Sequence, residues 1–518
     1  MWDTSIVYSD GRYFLFSMYD ATDFELEDSH GLFSRDTHVW CAVSDDGVRW
    51  RDVGPVIRDQ PSIVMKMFVR KLGDRFVMNY GSSRAPIGTA EWDNDTLRLW
   101  ESDDLLDWRP LGEERDLHPD PRWYRPGGRW DHMYMLPDDV SGGYLGYCVA
   151  TPNERYPYAS CGLLQSDDGS QWRVLPPPVV EWGDTPELPM FEVGGCEREA
   201  GRYYLIGGAA LYGGNTGYAV YTLVSDHWNG PFRPDPEAFR LCGTSGYSGA
   251  VGAQWLASFA RGVDDELLVT NYLTEDMENR YDYGISRRSV WFLPVKKAVI
   301  EADGHLRMGY WPANESLKGV PLDPGSARLV YSIDDRGVLT QEAGRVTIDS
   351  GAHRSNPLYP RDDHAVAVLD SVLDLEVGVV VEGTLTIDAH GFSRPAKAGF
   401  FFEEGGASGT YLLLEAGDPR WRISEIGGIA WEPSLRFEPR DVTSHGAATV
   451  TGITNQHEHR FRILCRRSMF ELYIDDFLVQ SYVTGGPPSG RIGFVVRNGR
   501  CLFADLRIWR MDLAGDSE

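Results

Sequence analysis

The 518-residue sequence predicts an all-β protein, a five-bladed β-propeller followed by a C-terminal β-sandwich. Three observations lead there. Short aromatic-rich segments, drawing on 17 Trp, 25 Tyr and 21 Phe, are separated by turns rich in Gly, Asp and Pro. A hairpin signature recurs through the first three-fifths of the chain. No long amphipathic helical pattern stands out in either part.

The recurring signature is Ser44-Asp45-Asp46-Gly47-Val48-Arg49-Trp50, repeated as Ser102-Asp103-Asp104-Leu105-Leu106-Asp107-Trp108 and Ser166-Asp167-Asp168-Gly169-Ser170-Gln171-Trp172, with an echo at Ser225-Asp226-His227-Trp228. The copies start roughly 60 residues apart, the period of a propeller blade. Each follows a strand-like run, so the Asp pair reads as a hairpin turn and the Trp as an anchor in the next strand. A second hairpin signal precedes it, as in Asp10-Gly11-Arg12-Tyr13 and Gly201-Arg202-Tyr203-Tyr204. Two hairpins make a four-stranded blade, and residues 1–315 hold five, the last and least regular around Asp264-Asp265-Glu266. Residues 316–326, with Gly319, Pro321, Pro324 and Gly325, read as a linker. Over 327–518 the blade signature stops and strands resume, with Phe470, Leu472 and Ile474 alternating against Glu471, Tyr473 and Asp475, as in a sandwich with one buried face per sheet.

Fifty Lys and Arg against 77 Asp and Glu give a net charge of −27, the wrong balance for a protein living on phosphate contacts, so no nucleic-acid partner is expected. No run of about 18 apolar residues predicts a membrane span, and the first residues lack a secretory signal, so a cytoplasmic location is expected. The seven cysteines, without CxxC spacing, read as small buried hydrophobes. His457-Glu458-His459 suggests no third ligand and reads as surface charge; neither metal nor cofactor is expected.

In a propeller the first strands of all blades face a central pit. Asp3, Asp131 and Glu192 each lie roughly ten residues ahead of a hairpin glycine, Gly11, Gly143 and Gly201, so blades one, three and four each supply an acid there. The same offset in blade two falls near Val64 and Met65. Acids sharing one pocket hold their pKa values apart, one protonated and the others ionised, which is what glycoside hydrolysis requires.

The opening Trp2-Asp3-Thr4-Ser5-Ile6-Val7-Tyr8-Ser9-Asp10-Gly11-Arg12-Tyr13 resembles the first blade of glycoside hydrolase family 32, the β-fructofuranosidases, whose nucleophile motif reads W-x-N-D-P-N-G. Arg129-Trp130-Asp131 resembles the family's R-D-P motif, and Met190-Phe191-Glu192-Val193-Gly194-Gly195-Cys196-Glu197 its E-C-P region. Arg462 to Tyr482 resembles its appended sandwich. The motifs depart from the pattern: Thr4-Ser5 replaces Pro-Asn, Trp130 separates Arg129 from Asp131, and His132 stands where Pro is usual. Glu187, in Glu187-Leu188-Pro189, and Glu197 are alternatives to Glu192, which the blade register favours.

The resemblance implies a retaining glycosidase acting on a furanoside such as a fructan or fructosyl oligosaccharide. Asp3 would attack the anomeric carbon, Glu192 serve as acid/base and Asp131 bind ring hydroxyls, with the carboxyls of Asp3 and Glu192 ~5–5.5 Å apart. Trp2, Arg129 and Trp130 adjoin these acids as candidate substrate-binding residues. An inverting arabinofuranosidase-like hydrolase, a fructosyltransferase and a non-catalytic carbohydrate-binding protein are the alternatives. In each, the partner is carbohydrate.

Overall fold

The computed structural model describes all residues except 1, 21–36, 59–62, 84–94, 139–141, 154–159, 186, 189, 191, 211–217, 243–251, 277–287, 343, 352–361, 390–393, 418–422, 432–435, 445–451, 487 and 515–518. Within the described residues the chain is almost entirely β, with only short 3₁₀ turns between strands. Among the described residues no helix is long and apolar enough to cross a membrane. All seven cysteines are buried, with no disulfide among them. The chain divides into two compact units: Met1–Tyr212, Tyr218–Asp235 and Trp255–Leu306 form the first, and Gly213–Gly217, Pro236–Gln254 and Arg307–Glu518 the second.

The first unit is a succession of antiparallel four-stranded sheets. β1 (Trp2–Ser9), β2 (Arg12–Asp20), β3 (Thr37–Ser44) and β4 (Arg51–Ile57) pair in chain order. So do β5 (Ile63–Leu72), β6 (Arg75–Ser83), β7 (Thr96–Ser102) and β8 (Arg109–Pro110). The third sheet holds β9 (Trp130–Asp138), β10 (Gly143–Ala150), β11 (Ser160–Ser166) and β12 (Trp172–Leu175). The fourth holds β13 (Glu192–Glu199), β14 (Arg202–Ala210), β15 (Tyr218–Ser225) and β16 (Arg233–Pro234). Last come β17 (Gly252–Arg261), β18 (Leu267–Asp276), β19 (Arg288–Phe292) and β20 (Lys296–Ile300), with β18 pairing both β19 and β20.

Local chemistry explains the hairpins. Asp10-Gly11 and Ala200-Gly201 both take positive φ at the two turn positions, as two-residue turns require. In the three Ser-Asp-Asp turns the second Asp accepts two backbone N–H groups at 2.8–2.9 Å and the Ser hydroxyl a third at 2.8–2.9 Å. Trp108 and Trp172 then donate their indole N–H back to the turn, to Leu105 O and Gly169 O.

The strands β1, β5, β9, β13 and β17 are tied to one another. Val69 N–H donates to Ser5 Oγ (3.1 Å), joining β5 to β1, and Val7 pairs in parallel with Arg261, joining β1 to β17. Lys66 Nζ donates to Val193 O (3.4 Å) and Ser258 Oγ (3.2 Å), joining β5 to β13 and β17. One carboxylate, Glu197 on β13, accepts from Arg70 on β5 (2.7 Å), Tyr134 on β9 and Arg261 on β17.

The second unit contains a seven-stranded antiparallel sheet in the order Ala327–Ser332, His364–Leu369, Ile492–Arg497, Lys397–Gly405, Ser408–Glu415, Ile423–Ala430, Arg436–Ser444. A second layer pairs Arg500–Met511 with Val379–Asp388, and that with Glu458–Arg466, Met469–Ile474 and Phe477–Val483 in turn. One core joins the layers, with Phe400, Phe402 and Phe494 from the first against Phe461, Phe470 and Phe503 from the second. Within 316–326, Lys318–Leu322 is a strand paired to Arg500–Met511, so this stretch is anchored by a backbone ladder despite its Pro and Gly. His459 turns inward to Asp475 (2.7 Å), while His457 is exposed.

Candidate active site

β9 carries an acid at its second position and β13 at its first, and each has a β-bulge within the next two residues. On β9, Asp131 pairs with Val149 and Met133 with Cys148, leaving His132 as the extra residue. On β13, Val193 pairs with Gly207 and Gly195 with Ile206, leaving Gly194 extra. Register shifts also fall between Val64 and Met67 on β5 and between Trp2 and Ser5 on β1. A bulge re-aims side chains at the end of a strand. Four first strands share it at the same end.

The bulges bring three sequence-predicted residues together. Arg129 donates from Nε (3.0 Å) and Nη2 (2.6 Å) to Asp131 Oδ2, and from Nη2 to Glu192 Oε1 at 3.1 Å. The Asp131 side chain is 1% exposed and that of Glu192 15%. Burial opposes the charge on Asp131, but Arg129 beside it and the His132 ring hold its carboxyl well below the ordinary carboxylate range. Arg129 is in turn held firmly cationic: burial works against its charge, and the two acids more than offset that. His132 places Nδ1 2.9 Å from Asp131 Oδ1 and Nε2 2.6 Å from Val193 O, so both ring nitrogens face acceptors. One donor atom from each of Asp131, His132 and Glu192 lies within 4.8 Å of the others, close enough to share a cation; between the two acids the guanidinium of Arg129 already supplies positive charge.

Of the other candidates, Trp130, Glu197 and Glu187 fall elsewhere. Asp3 and Trp2 belong to β1, but their side chains lie outside the described residues, as does the gap between the Asp3 and Glu192 carboxyls. Trp130 does not form a pocket wall: it is fully buried, its indole N–H donated to Leu117 O (3.1 Å) and its ring packed on Tyr124 at 5.0 Å. Alternation along β9 explains this, since Asp131 facing one side sends Trp130 to the other. Glu197 is 1% exposed and taken up by Arg70, Tyr134 and Arg261, whereas Glu192 shares a cation with Asp131. Glu187 is exposed and lines a groove that includes neither Asp131 nor Glu192.

Two residues of this region escaped the sequence reading. Lys66 occupies the bulge of β5, beside the positions read as Val64 and Met65, and its buried ammonium bonds to the Val193 carbonyl next to Glu192. A lone cation in the run Ile63-Val64-Met65-Lys66-Met67-Phe68-Val69 was the available signal, because a charge is kept in a buried strand only with partners. His132 was visible as the residue in place of Pro, but its turn toward Asp131 depends on the bulge.

No protein-family model matches the chain, and no curated protein sequence matches it. Solved structures do. The sucrose-6-phosphate hydrolase from Lactobacillus gasseri superposes with a TM-score of 0.63 at 12% identity, over 99% of this chain and 90% of that one. The Bombyx mori GH32 beta-fructofuranosidase gives 0.59 at 13%, over 98% and 90%, and the Aspergillus awamori exo-inulinase 0.57 at 11%, over 99% and 96%. At such identities the likeness is one of architecture, carried over nearly the full length of both partners: the chain is folded like the GH32 β-fructofuranosidases.

Proposed function

We propose that the protein is a retaining glycoside hydrolase that cleaves a furanoside, a fructan or fructosyl oligosaccharide, on a five-bladed propeller braced by a β-sandwich. The observation that carries this reading is the Asp131–Arg129–Glu192 cluster, two acids from the first strands of neighbouring sheets sharing one guanidinium. The fold common to this chain and the GH32 enzymes, one of which binds sucrose, supports it.

In the first step an Asp3 oxygen bonds to the anomeric carbon as the glycosidic bond breaks, and the leaving oxygen takes the Glu192 proton. In the second, Glu192 removes a proton from water, whose oxygen displaces Asp3 from the sugar. Asp131, kept ionised by Arg129 and His132, accepts hydrogen bonds from ring hydroxyls and favours the positive charge that develops on the ring. For Glu192 to donate a proton, its contact with Arg129 must give way as substrate enters. The hold of Arg129 and His132 on Asp131 also suits a protein that only binds sugar.

A screen of fructans, arabinans and small furanosides with NMR of the first product anomer tests the reading. Retention is expected, with Glu192→Gln lowering kcat at least 10²-fold. Inversion would point to the arabinofuranosidase-like alternative, and sugar binding without turnover to the binding protein.

A further inference from the structure

After its bulge, strand pairing resumes at Met67 on β5, at Met133 on β9 and at Gly195 on β13. The residue just before that point is Lys66, His132 and Gly194 respectively. On β5 and β9 its side chain carries a nitrogen, and both nitrogens converge on one carbonyl of the third bulge. Lys66 Nζ donates to Val193 O at 3.4 Å, and His132 Nε2 lies 2.6 Å from the same oxygen. On β13 the position is glycine, where a Cβ would run into the Ala257 carbonyl of β17. Val193 follows Glu192 directly, so the backbone one residue beyond this acid is gripped from β5, β9 and β17 together.

Lys66 brings a charge as well as a donor. It is buried, and it also donates to the neutral Ser258 Oγ on β17 at 3.2 Å. A buried ammonium is costly unless negative charge lies near it, and Asp131 and Glu192 stand at this end of the strands. Several charged and titratable groups gather at the Glu192 end of β13. Arg129, ahead of β9, is 3.1 Å from the carboxyl; β9 adds Asp131 and His132, and β5 adds Lys66. From β17 comes the uncharged Ser258, and the Asp3 side chain on β1 lies outside the described residues. A cation near a carboxyl favours its ionised form.

We infer that Lys66 is a positioning residue for Glu192: by holding the Val193 carbonyl it fixes the direction of the Glu192 carboxyl, and by its charge it makes that carboxyl a stronger acid. The catalytic consequence rests on the hydrolase reading of the Asp131–Glu192 pair. The test is carbon NMR of the full chain isotope-labelled at its glutamate carboxyls, the Glu192 signal being assigned by its loss in Glu192→Gln. Lys66→Met removes donor and charge together and should raise the Glu192 titration midpoint by roughly half a pH unit or more. The alkaline limb of the kcat profile on a furanoside should move up with it. At the optimum kcat should fall about 10–10²-fold with KM held within about threefold, because the lysine acts through the backbone. Lys66→Gln keeps a donor without the charge and should show the same midpoint shift with a smaller loss of kcat. Ser258→Ala, which takes away a contact of the lysine but not its charge, should leave the midpoint in place. A midpoint unmoved in either folded lysine variant would overturn the inference and leave Lys66 as a brace between strands. So would a raised KM at unchanged kcat, which would put the lysine on the substrate. The hydrolase reading fails separately, if wild-type protein turns over no furanoside while the midpoint still moves.

Discussion

Arg129 is the side chain on which the candidate site turns, because it neutralises two acids from different strands, the buried Asp131 and the half-buried Glu192. Replacing it by Met leaves Asp131 buried without its guanidinium, a loss expected to cost about 3–5 kcal/mol. The pH dependence has a definite sign. The folded-state pKa of Asp131 is depressed, so the pair stabilises the protein fully above the ordinary aspartate value of ~3.9 and loses that contribution only as pH falls through the lower folded value. Thermal melts of wild type and Arg129→Met should therefore differ most near neutral pH and converge in acid; a constant gap would separate the loss from the charge on Asp131. Asp131 and Glu192 were legible because a blade register can be counted from a hairpin glycine. Lys66 and the burial of Trp130 were not, since each depends on which way one residue faces after a bulge.

Strands and turns differ in how openly the sequence declares them. The Ser-Asp-Asp turn is written locally, every bond lying within a few residues, so its spacing alone marks the hairpins. Within it the two acids have unequal work. Asp168 accepts backbone N–H groups, and although burial opposes its charge these bonds bring its pKa down to about 2; Asp167 faces Arg173 at 3.8 Å on the surface. Asp168→Ala should cost on the order of 1 kcal/mol and Asp167→Ala within about 0.5 kcal/mol in denaturant titrations. The Asp168 contribution should fade between about pH 4, the ordinary aspartate range, and pH 2. The bulges, by contrast, are set by neighbouring sheets. Gly195 has φ +117°, and a Cβ there would meet the Tyr134 ring at 2.3 Å. Gly195→Ala should thus destabilise by about 1–3 kcal/mol and, by shifting β13, lower activity even though it touches no substrate. Stability lost with activity intact would show that the bulge does not set Glu192.

At the scale of the molecule, two opposing electrostatic effects decide how the protein responds to salt and acid. A net charge of −27 makes exposed acids repel one another, which disfavours the compact state. Against this stand buried acids held ionised by cations. Glu197 is held by Arg70 and Arg261 against the effect of burial. In the second unit Glu425, likewise opposed by burial, is brought down to about 2 by Arg497 and Lys397. Salt screens exposed charges within a Debye length of ~8–10 Å and buried pairs much less, so added NaCl should remove more repulsion than attraction. The melting temperature at pH 7 is expected to rise between 20 mM and 500 mM NaCl. At pH 5 the gain should shrink, as ordinary carboxyls near ~4.3 begin to take up protons and the negative charge falls. Below about pH 4 the balance reverses: the unfolded chain binds protons at Asp131, Glu197 and Glu425 that the folded chain refuses, and stability drops at either salt concentration. Differential scanning fluorimetry over this grid of pH and salt distinguishes the two effects, since a fall in melting temperature on adding salt at pH 7 would mean that exposed ion pairs outweigh the repulsion.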